Sequence, residues 1–242
     1  MVSMAGTMSD IPVVFLHGVG GMSSIDYAHL SAEELDGHPL ILIDFPGTGT
    51  PLDNPADLTI EGLAHYVAER LAHLSIQRAV IVGHSMGGAV AVSLAHHHSD
   101  LVEAIILTES NLDSGGGTWS RRITSMSEEE FVTHGYDELL TDQQATCLTW
   151  ARTVSMTSPV ALYRVAQSLI AGVTPSWRQI LYGLTCPRFY VFGDQNLPDP
   201  DAEELSHHGI HVLTIANAGH NMVYDNPAGF TSMLRQCLTL ID

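Results

Sequence analysis

The sequence predicts a doubly wound α/β fold, and three observations carry that expectation. Short, nearly continuous runs of β-branched and other apolar residues recur along the chain, as strands covered on both faces require. Amphipathic or small-residue helical stretches lie between them. One of the buried runs passes through a Gly-rich turn straight into a helix, at Gly83-His84-Ser85-Met86-Gly87-Gly88. The chain has 242 residues, 45% of them apolar and 15% charged, which suits one domain with room for a small insertion.

Taken in order, the candidate strands are 12–16, 39–43, 79–82, 104–107, 188–192 and 211–215, about six in a mostly parallel sheet. Residues 58–74 carry Leu63, Val67 and Leu71 at helical spacing, and 89–98 is small and apolar on most sides. The last helix, 227–240, opens on Pro227, whose fixed φ and missing N–H suit a first turn. Strand–helix alternation breaks once, from Asn111 to about Ile170. That stretch starts Gly-rich at Ser114-Gly115-Gly116-Gly117 and then shows only helical patches. Ser127 followed by Glu128, Glu129 and Glu130 is a helix start, with a hydroxyl cap and acids in the first turn. Trp119, Phe131, Trp150, Leu162 and Tyr163 give the segment an apolar face to bury. A helical lid over a pocket, at about 111–170, is the expectation, with the core formed by 1–110 and 171–242.

Acidic residues outnumber basic ones 27 to 9, for a formal charge of −18, and all nine bases are Arg. Such a field repels phosphate backbones and anionic headgroups, so nucleic acid and membrane surfaces are excluded as expected partners. Cys147, Cys186 and Cys237 are an odd number with no paired spacing, which suits free thiols in a reducing compartment. The first ten residues carry neither a basic stretch nor an apolar core, and a cytoplasmic protein is expected.

The strongest chemical signal is Gly83-His84-Ser85-Met86-Gly87, a G-x-S-x-G placed directly after a buried strand and before a small-residue helix. A serine forced into such a turn takes a strained backbone conformation, and side chains two residues away on either side would clash. Gly83 and Gly87 remove the clash, so the Ser85 hydroxyl can stand clear of the sheet. Met86 opens the following helix, where a backbone N–H is free to receive a developing negative charge.

With this motif and three others, the chain resembles the α/β-hydrolase superfamily over nearly its whole length. His17-Gly18-Val19-Gly20-Gly21 resembles the family's oxyanion loop, and Asp44-Phe45-Pro46-Gly47-Thr48-Gly49 its D-x-P-G-x-G turn. Gly219-His220-Asn221-Met222, followed by Asn226-Pro227, resembles its catalytic-histidine loop. The resemblance implies an α/β-hydrolase fold and a serine esterase or lipase-like activity. It also implies that Val19 supplies a second oxyanion donor beside Met86. One departure is that the family's two leading edge strands have no counterpart in the sequence, which leaves a sheet edge that could pair with a second copy.

A serine hydroxyl needs a base within hydrogen-bond reach, and His220, in a loop after the last strand, can reach the carboxyl end of the sheet. His17 and His84 adjoin the motifs as structural neighbours. The acid is the open assignment. The usual position in the family, three residues past Gly193, holds Asn196, which cannot carry charge. Asp194 and Asp199 are off register, whereas Glu109 ends the strand after the nucleophile helix, where some family members such as haloalkane dehalogenases place their acid. Glu109 is favoured, with Asp194 as the alternative.

The expected enzyme attacks a small or medium hydrophobic ester, lactone or thioester through an acyl-enzyme on Ser85, and requires no cofactor or metal. Alternatives that the same residues leave open are carbon–carbon bond hydrolysis, a lyase reaction, or a non-catalytic ligand receptor. His96-His97-His98 lacks Cys or carboxylate at ligand spacing and is read as a helix end. Arg121 and Arg122 could clamp a substrate carboxylate or simply face solvent. Met126, Met156 and the aromatics of the insertion could line an acyl pocket or pack it. A monomer and a homodimer are both compatible with the sequence.

Overall fold

The computed structural model describes residues 11–49 and 58–241, so the N-terminal decapeptide lies outside the described residues. Among the described residues, six strands form one sheet in the order β2-β1-β3-β4-β5-β6, every neighbouring pair parallel. They are β1 (Val13–Leu16), β2 (Leu40–Ile43), β3 (Ala79–His84), β4 (Val102–Thr108), β5 (Arg188–Gly193) and β6 (His211–Ile215). Each lies on one of the expected runs.

Alternate residues along the strands enter two different cores, the period of two that a pleated strand imposes. Leu16, Ile81, Ile105, Leu107 and Phe192 face one layer. Phe15, Val80, Val82, Ile106 and Val191 face the other. After β1 comes α1 (Ser23–Asp26). The first layer is closed by α2 (Ile60–His73), through Leu63, Val67 and Leu71, and by α3 (Met86–His97). The ten residues of α3 from Met86 to Ala95 are all buried, which explains its small, apolar composition: it is covered by the sheet and by helices at once.

Between β4 and β5 run α4 (Thr118–Ile123), α5 (Glu128–Glu130), α6 (Tyr136–Thr146), α7 (Leu148–Val154), α8 (Pro159–Ala171) and α9 (Trp177–Gly183). The Ser127 cap is present: its hydroxyl accepts from the Glu130 N–H, and Glu130 returns the bond to the Ser127 N–H at 2.8 Å. Helices α4 to α8 bury a small core of their own, with Ile123, Phe131, Val154, Leu162 and Tyr163. The helical run continues past Ile170 into α9, which returns to the main core. Trp177 is fully buried there and its indole donates to the Ser93 hydroxyl at 3.1 Å. The second layer is closed by α12 (Pro227–Ile241), which follows α10 (Pro200–His207) and α11 (Met222–Asp225). Phe230, Met233, Leu234, Cys237 and Leu238 form its buried stripe at i, i+3, i+4, i+7 and i+8.

The strand order positions the site. The chain leaves β1 toward β2 on one side and returns to β3 on the other, so the loops after β1 and β3 diverge and open a crevice at the carboxyl edge. Register then fixes the neighbours: Leu16 pairs with Gly83, His84 with Thr108, and Thr108 with Val191. His17, Ser85, Glu109 and Phe192 to Gly193 therefore emerge side by side on successive strand ends.

Candidate active site

Ser85 takes φ 51° and ψ −118°, a conformation that side-chain-bearing residues rarely adopt. It is held there by its N–H on the Thr108 carbonyl at 3.0 Å and by its own carbonyl, which accepts from Gly88 at 3.0 Å and Asn111 at 3.2 Å. The flanking glycines are sterically required. A Cβ on Gly83 would stand 2.5 Å from the Gly87 carbonyl oxygen, and one on Gly87 would press into the Leu16 carbonyl. Met86 is the first residue of α3, so its N–H is one of the helix's orphan donors.

The loop after β1 packs onto this turn: a Cβ on Gly18 would lie 3.1 Å from the Ser85 Cβ. His17 sets the loop's backbone. Its Nε2 accepts from the Phe45 N–H at 3.2 Å, so the proton sits on Nδ1, which donates to the Gly18 carbonyl at 2.8 Å. Gly21 donates to the same carbonyl at 3.0 Å. Burial holds the His17 ring below the ordinary His value and keeps it neutral. In a trans peptide the C=O and the following N–H point opposite ways. Pinning Gly18 O toward buried His17 therefore turns the Val19 N–H to the opposite side of that peptide, and Val19 lines the crevice.

Glu109, immediately after β4, has φ 46°. Its Oε1 accepts from the Gly193 N–H at 2.8 Å, and its Oε2 lies 3.9 Å from His220 Nδ1, an ion-pair distance longer than a hydrogen bond. Burial pushes this carboxyl up, but the His220 ring, the Asn196 amide and the Gly193 N–H together outweigh it and hold Glu109 below the ordinary range. Asp194 faces elsewhere: its Oδ1 accepts from the Ala218 N–H at 3.1 Å, and among the described residues no ion pair joins it to His220.

The His220 side chain is half exposed, and its ring packs 4.8 Å from that of His84. Among the described residues the Ser85 hydroxyl makes no hydrogen bond, so it and His220 border one crevice without a closed bond between them. Such couples are often loose until substrate binds. His84 lines the same crevice. Burial first, and the neighbouring His220 second, push it down to about 3, and its Nδ1 donates to the Thr108 carbonyl at 3.1 Å.

Ser85, Val19, His84, His220 and Asn196 line a cavity of about 620 Å³ whose far wall is the helical insertion, through Trp119, Arg121, Cys147 and Trp150. Arg121 donates to the Gly116 carbonyl at 2.7 Å, whereas Arg122 pairs with Asp142 and stacks over Trp119. Of the His triplet, His97 meets Glu61 at 2.5 Å and His98 meets His65 at 3.3 Å, on the α2–α3 surface and outside the cavity lining. Among the described residues no three His, Cys, Asp or Glu side chains gather as a metal site.

Three wall groups make contacts that the local sequence does not specify. Trp150 belongs to the insertion and reaches the loop after β1 only through tertiary packing. Asp26 accepts the Tyr224 hydroxyl at 2.5 Å and the Met22 N–H at 3.0 Å, tying the loop after β1 to the helix after His220. Burial raises the Asp26 carboxyl above its usual value, partly offset by those bonds. Asn196 is visible in sequence only as a missing acid, and its amide lies beside the Glu109 carboxyl.

Residues 13–232 match the model of the Alpha/beta hydrolase family. The chain belongs to that family. This alpha/beta hydrolase is 28% identical, over 98% of its own length and 97% of the relative's, to 2-succinyl-6-hydroxy-2,4-cyclohexadiene-1-carboxylate synthase of Salmonella typhimurium. Among solved structures it is similar to a thermophilic esterase from Thermogutta terrifontis, with TM-score 0.76 and 22% identity over 96% of this chain and 90% of that one. It is also similar to the enol-lactonase from Burkholderia xenovorans LB400, with TM-score 0.77 and 21% identity over 98% and 94%. At those identities the two structures speak for the fold of the hydrolase. No helix among its described residues is long and apolar enough to cross a membrane.

Proposed function

We propose that this chain is a serine hydrolase that opens a small or medium hydrophobic carboxylic ester, lactone or thioester through an acyl-enzyme on Ser85. The observation that carries the reading is the strained Ser85 turn, at φ 51°, facing a cavity of about 620 Å³ shared with His220. His220 takes the Ser85 proton as Oγ attacks the carbonyl carbon, then returns it to the leaving oxygen or sulfur. Glu109 holds the ring through Nδ1 and stabilises the imidazolium that forms. The Val19 and Met86 N–H groups receive the oxyanion. Water then attacks the acyl carbon, with His220 as base, and frees the acid. Helices α4 to α8 act as a lid that supplies the apolar wall and limits access of water.

A second reading follows from the Salmonella relative, whose named product carries a carboxylate and a succinyl group. A polyanionic reactant calls for several cations. The cavity lining here holds Arg121 against the carboxylates of Asp26 and Asp225, and this favours a neutral ester or lactone. The deciding experiment is a panel of p-nitrophenyl esters, thioesters and lactones run on the wild type and Ser85→Ala, beside a thermal-shift screen with the same ligands. Turnover of neutral esters that Ser85→Ala abolishes is expected. Turnover that survives the substitution contradicts the nucleophile, and binding with no turnover on any substrate favours a receptor.

A further inference from the structure

The insertion packs on the loop after β1 through Trp150 and Val154, and Trp150 adds a specific bond. The Trp150 indole donates to the Val19 carbonyl at 2.9 Å, across 131 residues of sequence. Gly20, the next residue, has φ +68°, and a Cβ there would stand 2.6 Å from Val154 Cγ2 and 3.0 Å from Trp150 Cζ2. Helix α7 thus lies directly on the loop backbone. Trp150 is itself steadied by Trp119 of α4, the rings stacked at 4.7 Å and 25°.

Peptide geometry gives this bond a consequence. Val19 Cα joins two rigid planes. The plane before it carries Gly18 C=O and the Val19 N–H, and His17 and Gly21 pin it through the carbonyl. The plane after it carries Val19 C=O, whose hydrogen-bond partner among the described residues is Trp150. The bonds to Gly18 O hold the first plane at its carbonyl end only, so while the second plane is free the first can still tilt about that oxygen. With both pinned, φ and ψ of Val19 are set and so is the direction of its N–H.

We infer that Trp150 is a positioning residue for the oxyanion site, its indole N–H fixing the Val19 peptide so that the donor is aimed only while α7 is docked. This rests on the reading of Ser85 as nucleophile and of Val19 as donor. The insertion is then part of the device that stabilises the transition state as well as a wall of the cavity. A wall residue acts on the bound substrate and moves KM, whereas an aimed donor acts where charge develops and moves kcat.

The test uses the full-length protein with p-nitrophenyl butyrate as substrate and an alkyl trifluoromethyl ketone, which forms a tetrahedral adduct with an active-site serine, as the transition-state probe. Trp150→Phe keeps an aromatic ring against Trp119 and removes the N–H. Losing an oxyanion donor outright costs about 10²–10³-fold. Disorienting one is expected to lower kcat by about 10- to 100-fold, with KM within about threefold and ketone affinity weakened in step with kcat. Benzothienylalanine at position 150 removes the N–H alone in a ring of the same shape, so it gives the same readout if Trp150→Phe folds poorly. Unchanged kcat and ketone affinity in that variant, or a change confined to KM, overturns the inference. A wild type that neither cleaves the ester nor takes the ketone on Ser85 defeats the hydrolase reading itself, and shows it before any Trp150 variant is made.

Discussion

Replacing Glu109 by Gln removes one negative charge beside His220 while leaving an oxygen for the Gly193 N–H. The fold should be spared, because that 2.8 Å bond to Oε1 can persist with the amide oxygen. The charge cannot be replaced. At 3.9 Å, an imidazolium and a carboxylate attract by about 4 kcal/mol at an effective dielectric constant of about 20. Half exposure of the His220 side chain screens part of this, which leaves about 3 kcal/mol. At about 1.4 kcal/mol per decade, kcat on a short-chain p-nitrophenyl ester should fall by about 10²- to 10³-fold, with a melting temperature close to wild type. Asp194→Asn is the matched control, because its carboxyl serves the Ala218 N–H, and kcat should change by less than about threefold. The reverse ranking, or equal mild losses in both variants, refutes the assignment of Glu109. The same carboxyl predicts a stability signature. Its folded value is depressed below 4.5, so its contribution is present above the ordinary glutamate range and is lost as pH falls through the folded value. Acid unfolding curves of Glu109→Gln should lack that component.

Three further outcomes are expected. His84 stays neutral down to about 3 in the folded chain but titrates at 6.5 when unfolded. The unfolded state alone takes up this proton below 6.5, so stability should fall by about 2 kcal/mol between pH 7 and pH 5, and urea titrations of His84→Gln should show a flatter dependence. Gly83→Ala places a methyl 2.5 Å from the Gly87 carbonyl; a loss of about 3 kcal/mol or more is expected by chemical denaturation, and near-wild-type stability would show that the turn can relax. Phe230→Ala opens a hole in the second core, where the ring is 1% exposed, and should cost about 3–5 kcal/mol with kcat and KM little changed.

The fold was legible because both of its signals are local. Buried parallel strands are continuous apolar runs, and each of the six marked runs overlaps an observed strand, with ends off by at most two residues, as at Val102 and His84. The serine turn was legible because sterics leave few residue choices at 83 and 87. The carboxyl after β4 could be found by setting an acid at one strand end against a missing one at another, since parallel register carries both to the same edge. The insertion was legible as a helical wall, but its contacts with the loop after β1 were not. The Trp150 to Val19 bond depends on how the insertion folds back across 131 residues, and no short-range pattern encodes that approach. The insertion was expected at about 111–170, and Trp177, beyond that bound, packs in the main core against α3.

The central claim is that residue 85 is the nucleophile and that the backbone around Val19 and Met86 receives the oxygen. Incubation with a fluorophosphonate, peptide mass mapping and a structure of the adduct test it together. One adduct per chain on Ser85 is expected, its phosphoryl oxygen within about 3 Å of the Val19 and Met86 nitrogens. An adduct on another residue, or an oxygen turned away from both N–H groups, would contradict the account.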